Sequence, residues 1–237
     1  MMSLSEYTKS RNYSFKIGED PSRWTGRLRI CSSIIRKLPP GTFLDIGCAD
    51  GTWAKYWQDR GWKTFGVDIN PKNVDITKKR GIQATTVDLN SEEPLQFEND
   101  SFDLIFAGEI IEHLIDTDGF LMELNRCLKP KANLLITTPN LVSFENTIRI
   151  LFGRYPTWVD FGLHGSGHVR AYTPRVLKYQ LKQQGFSIQK QTGNWVPFIP
   201  QQFVDDVKLP LLSLSGKVFP NLAMDIIVLA RKETKSL

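Results

Sequence analysis

The chain has 237 residues, of which 41% are hydrophobic and 23% charged, the proportions of an ordinary globular protein. That length allows one large α/β domain or at most two small ones, and no apolar run is long enough to span a membrane. Three widely spaced cysteines (Cys31, Cys48 and Cys127) with no CxxC pair argue against a disulfide framework and point to reduced thiols in a cytoplasmic compartment.

The net charge of +5 is concentrated at the start. Residues 1–40 carry eight basic groups (Lys9, Arg11, Lys16, Arg23, Arg27, Arg29, Arg36, Lys37) against three acidic ones (Glu6, Glu19, Asp20). This stretch reads as a basic N-terminal helical cap, either a solvated face or a cover for a phosphorylated, carboxylated or nucleic-acid substrate. Met1 to Asp20 is polar and lacks an apolar h-region, so no secretory signal is expected.

Along the chain, short apolar runs alternate with helical stretches, the pattern of a parallel sheet covered by crossover helices. Pro21 to Leu38 reads as a helix stopped by Pro39-Pro40-Gly41, and Thr42–Ile46 as the first strand, followed by a glycine turn and a helix to about Asp59. Lys63–Val67 is a second strand, Pro71–Lys79 a helix with proline in its first turn, and Ile82–Val87 a third strand. Phe102–Phe106 is a fourth strand whose helix is expected to run to about Leu128, and Ala132–Thr138 a fifth. A helix from Thr173-Pro174 to Gln184, a strand at Phe186–Gln191 and a last strand at Ala223–Ala230 complete the pattern. Two aromatic-rich stretches, 140–172 and 194–220, interrupt it, and we read one domain, residues 1–237, with these as insertions on the substrate side. Trp158, Phe161, Trp195, Phe198 and Phe203 either line a ring-shaped pocket or form the insertions' own core. The leucine-rich run Val207–Phe219 could also touch a membrane surface or a partner chain.

The strongest local signal is Phe43-Leu44-Asp45-Ile46-Gly47-Cys48-Ala49-Asp50-Gly51, a strand running through a glycine turn into a helix, where backbone N–H groups meet a ligand. Asp45 narrows the ligand. A carboxylate at the mouth of the first strand repels a pyrophosphate and disfavours a dinucleotide, whereas the sulfonium and ammonium of S-adenosylmethionine are attracted to it. That cofactor's carboxylate could in turn use the turn's N–H groups. Asp68 ends the second strand, where a carboxylate can accept both ribose hydroxyls, and Asp88 ends the third, with Leu89 beside it for an adenine ring.

With LDIGCADG (44–51), VDIN (67–70), VDL (87–89), FDLIFAGEIIEHL (102–114) and TPRVLKYQLKQQGF (173–186), the chain resembles the class I S-adenosylmethionine-dependent methyltransferases over roughly Thr42 to Leu229. Ala49 stands where the family usually has a glycine. The resemblance implies a Rossmann-like three-layer α/β sandwich with a mostly parallel seven-stranded sheet, order 3-2-1-4-5-7-6, the last strand antiparallel. It also implies a cofactor site made of Asp45, Gly47, Cys48, Ala49, Gly51, Asp68, Ile69, Asp88, Leu89, Ala107 and Gly108.

For the chemistry, Glu109, Glu112 and His113 stand at i, i+3 and i+4 and would share one face of a helix, a ligand set suited to a divalent cation. The ExxEH segment resembles that of ubiquinone-biosynthesis O-methyltransferases and of small-RNA 3′-end methyltransferases, and the latter add a histidine that His168 matches. By that resemblance Glu109, Glu112, His113 and His168 hold a metal that binds adjacent hydroxyls. Alternatively His113, with Glu112, acts as base without a metal, or packs beneath the substrate. His164, between glycines, reads as a loop residue, and Arg170 and Tyr172 as substrate-facing or structural. The expected activity is methyl transfer to a hydroxyl of a small or sugar-like acceptor. RNA 2′-O-methylation is an alternative, though no RNA-binding module is appended, and so is a non-catalytic module that only binds the cofactor. Oligomeric state has no signature in the sequence.

Overall fold

The computed structural model describes residues 25–91, 93–160, 167–196 and 210–234. Expectations for Lys9, Arg11, Lys16, Arg23, Phe161, His164, Phe198 and Phe203 fall outside these residues.

The chain order is α1 (Gly26–Ile35), β1 (Thr42–Ile46), α2 (Thr52–Gln58), β2 (Lys63–Asp68), α3 (Pro71–Lys79), β3 (Gln83–Thr86), β4 (Phe102–Gly108), a 3-10 turn (Ile111–His113), α4 (Thr117–Cys127), β5 (Leu128–Pro139), α5 (Phe144–Leu151), α6 (Pro174–Gln183), β6 (Phe186–Gly193), α7 (Pro210–Val218) and β7 (Asp225–Lys232). The seven strands form one sheet in the order β3-β2-β1-β4-β5-β7-β6. β3, β2, β1, β4 and β5 pair with one another in parallel, whereas β7 runs antiparallel to both β5 and β6. This is the expected Rossmann-like topology.

Strand chemistry explains the layering. Phe43, Leu44, Asp45 and Ile46 of β1 are all buried, because a central parallel strand is covered on both faces. Leu44 and Ile46 face a core containing Phe120, Leu121 and Leu124 of α4 and Leu177 and Leu181 of α6. Phe43 faces the opposite core, with Leu28, Cys31 and Ile35 of α1 and Trp53 and Trp57 of α2. Strand periodicity therefore sends alternate residues of β5 to different layers: Leu135 joins the α1–α2 core, Leu134 and Ile136 the α4–α6 core.

Helix starts follow local chemistry. Asn70 caps α3 ahead of Pro71, and the Thr173 hydroxyl accepts from Val176 N at 3.2 Å ahead of Pro174 in α6. The helix expected after β4 is present but begins late. Residues 109–114 do not continue into α4, which starts only after Asp116 accepts from Gly119 N at 2.9 Å. Glu109 takes a left-handed φ of 59°, and the rest of the segment closes into one short 3-10 turn.

Both interrupting stretches spring from the carboxyl edge of the sheet. Asn140 bridges Tyr172 across the base of the first. The amide of Phe144 donates to the Leu222 carbonyl at 2.9 Å, and Asn140 Nδ2 donates to the Asn221 and Ala223 carbonyls, joining the first stretch to the end of the second. No described helix is long and apolar enough to cross a membrane.

Candidate active site

The β1–α2 turn holds left-handed backbone at Gly47 (φ 72°), Ala49 (φ 48°) and Gly51 (φ 74°). The φ of Gly47 favours glycine, and an added Cβ there would also force Ile110 Cδ1, 2.3 Å away, to move. Ala49 adopts the conformation its methyl disfavours, consistent with glycine being usual there in the family. The expectation that the turn's amides wait for a ligand needs correction. Gly47 N and Cys48 N donate to Val67 O, Ala49 N to Asp68 Oδ2, Gly51 N to Cys48 O and Thr52 N to Asp50 Oδ1. These bonds lock the turn's shape. The Cys48 thiol is turned inward, 3.8 Å from Thr77 Oγ1, and burial pushes its pKa up.

Asp45 is 2% exposed, and its Oδ2 has no hydrogen-bond partner among the described residues. Burial first, then the nearby Asp68 and Asp50, hold its carboxyl well above the usual range. An orphaned, buried carboxyl oxygen beside a glycine cradle fits a cationic ligand. Asp68 closes β2 and accepts from Ala49 N (2.8 Å), Asn70 N (2.8 Å) and Asn73 Nδ2 (3.2 Å), which fixes the carboxylate at the strand mouth. Asp88 lies two residues beyond the end of β3 rather than at it. It is held beside Asp68 because Val87 N donates to Asp68 O at 3.0 Å, and its Oδ1 accepts from Asn90 N. Ile69 and Leu89 are half-buried. Ala107 is wholly buried in the α4–α6 core. Gly108 has no room for a side chain, a Cβ there lying 2.5 Å from the Phe106 ring.

Beyond β4 the late start of the helix separates the expected ligand set. Glu109 Oε1 accepts from Thr137 Oγ1 at 3.0 Å and lies 3.6 Å from Arg27 Nη1 of α1. Arg27 Nη1 itself donates to Thr137 Oγ1 at 3.0 Å, and its Nε lies 3.9 Å from Asp225 Oδ2. Asp225 also accepts from Asn194 Nδ2 at 2.6 Å. Burial first, then Glu109, raise the Asp225 carboxyl to about 7, with Arg27 and Asn194 opposing. Burial works against the Arg27 charge, but Glu109 and Asp225 more than compensate and leave its pKa raised. Sequence reasoning missed this network: Arg27 looked like one more surface cation, and nothing local marks it as buried.

Glu112, His113 and His168 do converge. A carboxylate oxygen of Glu112 and one ring nitrogen of each histidine lie within 4.8 Å of one another, and Glu109 is outside this group. Glu112 is 1% exposed, and the hydrogen bonds that favour its charged form come from the backbone and the Thr138 hydroxyl, beside the charge of Arg27. Burial first, then Glu109, hold its carboxyl well above the usual range. His168 Nε2 stands 4.0 Å from Glu112 Oε1, and the two imidazoles meet edge to face at 4.7 Å. His113 Nδ1 is 3.0 Å from Gly167 O and His168 Nδ1 is 2.8 Å from Trp158 O. A carbonyl only accepts, so each neutral ring carries its proton on Nδ1 and its lone pair on Nε2. Burial lowers the His113 pKa, which favours that neutral form. A void of about 10 Å³, enough for one water-sized centre, is lined by Glu112, His168, Thr138, Trp158 and Tyr172. Arg170 and Tyr172 have structural partners: Arg170 Nη2 donates to Ile115 O at 2.5 Å and Tyr172 OH to Gln180 Oε1 at 3.1 Å.

The sheet order, the glycine turn and the three aspartates at the carboxyl edge define a class I S-adenosylmethionine-dependent methyltransferase. The chain belongs to the family described as methyltransferase domain, whose model matches residues 23–191. It is similar to ubiquinone biosynthesis O-methyltransferases: 26% identical over 154 residues to that of Chelativorans sp. (63% of this chain, 60% of the relative), and 28% over 160 residues to the mitochondrial one of Homo sapiens (63% and 42%). The chain thus spans between two fifths and about three fifths of the length of these two relatives. Among solved structures it superposes on a methyltransferase from Thermotoga maritima, described as a possible histamine N-methyltransferase, with a TM-score of 0.65, 18% identity and coverage of 89% and 91% of the two chains. The chain is an enzyme of this class, and its cofactor is S-adenosylmethionine.

Proposed function

We propose that the enzyme methylates a hydroxyl of a small acceptor carrying a neighbouring oxygen, a catechol or a sugar-like diol, with a divalent cation held by Glu112, His113 and His168. One observation carries the reading: a buried carboxylate and two imidazoles, each oriented by a backbone carbonyl, meet within 4.8 Å. Metal-ligating histidines almost always donate their other ring N–H to such an acceptor, and both rings here are held in that way. The similarity to ubiquinone biosynthesis O-methyltransferases supports oxygen as the acceptor atom.

The residues divide the work. Asp45 faces the positive charge of the cofactor, which supplies the electrophilic methyl group, while Asp68 and Asp88 receive its nucleoside. A cation at Glu112, His113 and His168 would supply Lewis-acid chemistry that makes the acceptor hydroxyl acidic at neutral pH. The protein's own contribution is alignment, because an in-line displacement depends on the placement of nucleophile and methyl. The described parts of the two interrupting stretches, 140–160, 167–172, 194–196 and 210–220, follow the sheet's carboxyl edge, where an acceptor would enter. The basic start supports an RNA acceptor less than its composition suggests, since Arg27 is engaged internally with Glu109 and Asp225. The three buried, unbridged cysteines support a cytoplasmic location.

The test is methyl transfer from labelled S-adenosylmethionine to catechols, sugar diols and an oligoribonucleotide, with Mg²⁺, Mn²⁺ or chelator. Transfer to a diol that chelator abolishes supports the proposal. Chelator-insensitive transfer, unchanged in Glu112→Gln, would sink the metal, and transfer only to the oligoribonucleotide would replace the acceptor class.

A further inference from the structure

The segment Trp158 to Asp160 touches the two histidines from outside. Asp160 Oδ2 accepts from Gly167 N at 2.5 Å and from His168 N at 2.9 Å. The carbonyl of the same Gly167 holds His113 Nδ1, while the Trp158 carbonyl holds His168 Nδ1. From the other side, Val169 N and Arg170 N both donate to the backbone carbonyl of Glu112, at 2.9 and 3.0 Å. Residues 167–170 are therefore clamped between the 3-10 turn that carries Glu112 and His113 and the segment that carries Asp160.

The backbone is unusual at both ends of the clamp. Trp158 has φ 63°, a region where a bulky side chain is a true outlier, and this conformation accompanies the carbonyl's bond to His168. Gly167 has φ 85°, where any side chain would be strained. Non-glycine residues persist in such conformations when the surroundings over-determine them, and that occurs most often at functional sites. Here the surroundings are the bonds just named.

We propose that Asp160 is a positioning residue for the active site. By capturing the amides of Gly167 and His168 on one carboxylate oxygen, it sets the orientation of both histidine rings, His168 through its own backbone and His113 through the Gly167 carbonyl. The inference rests on the reading of Glu112, His113 and His168 as a cation site, and it adds a residue that neither touches the cation nor belongs to the ExxEH segment. Both amide bonds need only an acceptor oxygen in the right place, so an amide side chain at this position should serve nearly as well.

The experiment measures Mn²⁺ binding by calorimetry and electron paramagnetic resonance in the wild type, Asp160→Ala and Asp160→Asn, with S-adenosylhomocysteine binding as a control on folding. Asp160→Ala should weaken Mn²⁺ binding by about 10- to 100-fold, the range for loss of an outer-shell partner, with the control unchanged. Asp160→Asn should recover most of that loss. Equal Mn²⁺ binding in Asp160→Ala and wild type overturns the inference while leaving the cation site standing, and so does equal loss in both variants. A wild type that binds no Mn²⁺ removes the cation site and the inference together. Nitrogen-15 spectra of the wild-type imidazoles need no variant: both rings should be Nδ1–H tautomers, and an Nε2–H tautomer at either ring overturns the inference.

Discussion

Glu109 and Glu112 are three residues apart, yet their carboxylates serve different partners: Glu109 bonds the Thr137 hydroxyl at 3.0 Å beside Arg27, whereas Glu112 lies 4.0 Å from His168 Nε2. The left-handed residue at 109 and the 3-10 turn after it cause this divergence, since on a continuous helix the two would lie on one face. The two positions should therefore separate in experiment. Glu112→Gln should lower Mn²⁺ affinity at least tenfold and methyl transfer with it, whereas Glu109→Gln should change metal affinity by much less than the 10- to 100-fold of a true shell residue. Calorimetry on both variants decides, and a reversed order would return Glu109 to the ligand set.

Arg27 stands between Glu109 and Asp225 with its side chain only 13% exposed. Removing it leaves two carboxylates facing each other in a water-poor setting. Arg27→Met should cost about 3–5 kcal/mol of unfolding free energy, the range for breaking a buried pair. The triple variant Arg27→Met, Glu109→Gln, Asp225→Asn should regain much of it. Urea unfolding monitored by tryptophan fluorescence measures both, and a loss under about 1 kcal/mol would mean that water solvates the network.

Asp225 makes stability depend on pH. Its carboxyl is raised to about 7 in the folded protein from an ordinary 3.8. The folded state thus binds more protons than the unfolded state between about pH 4 and 7, and stability attributable to this group is lost as pH climbs through that window. Asp225→Asn removes the titration. The stability of the wild type minus that of the variant should fall from pH 4 to pH 7 and level off above it, and a flat difference across the series contradicts the assignment.

Asp45 links cofactor binding to protons. Its carboxyl is held well above the usual range in the free protein by burial and by Asp68 and Asp50, and a sulfonium nearby favours the ionised form. Binding of S-adenosylmethionine should release a proton and strengthen as pH rises through the Asp45 titration. S-adenosylhomocysteine, whose sulfur is neutral, should show less of both effects. Asp45→Asn should cost S-adenosylmethionine about tenfold more affinity than it costs the homocysteine product, roughly 1.4 kcal/mol of differential binding. Calorimetry in buffers of different ionisation enthalpy reads the proton directly, and equal losses for both ligands would deny Asp45 its electrostatic role.

The sequence by itself determined the strands, their order through the family pattern, and the cofactor edge. Those features are written in short-range signals: an apolar run, a glycine turn, an aspartate at a strand end, a proline in a first helical turn. Helix Pro71–Lys79 and the glycine turn at Gly47 are found as expected because neighbouring residues decide them. Only the tertiary structure decided which members of the ExxEH segment meet. Helical spacing placed Glu109 with Glu112 and His113, but the helix starts only at Thr117, beyond all three. Arg27 from a helix 82 positions earlier and Thr137 from the next strand supply Glu109 with partners that no local pattern reveals. His168 was legible as a candidate, but not the Asp160 carboxylate and Trp158 carbonyl that orient it. Propensity and spacing act over a few residues, whereas buried charge and hydrogen-bond satisfaction are settled between segments far apart in the chain.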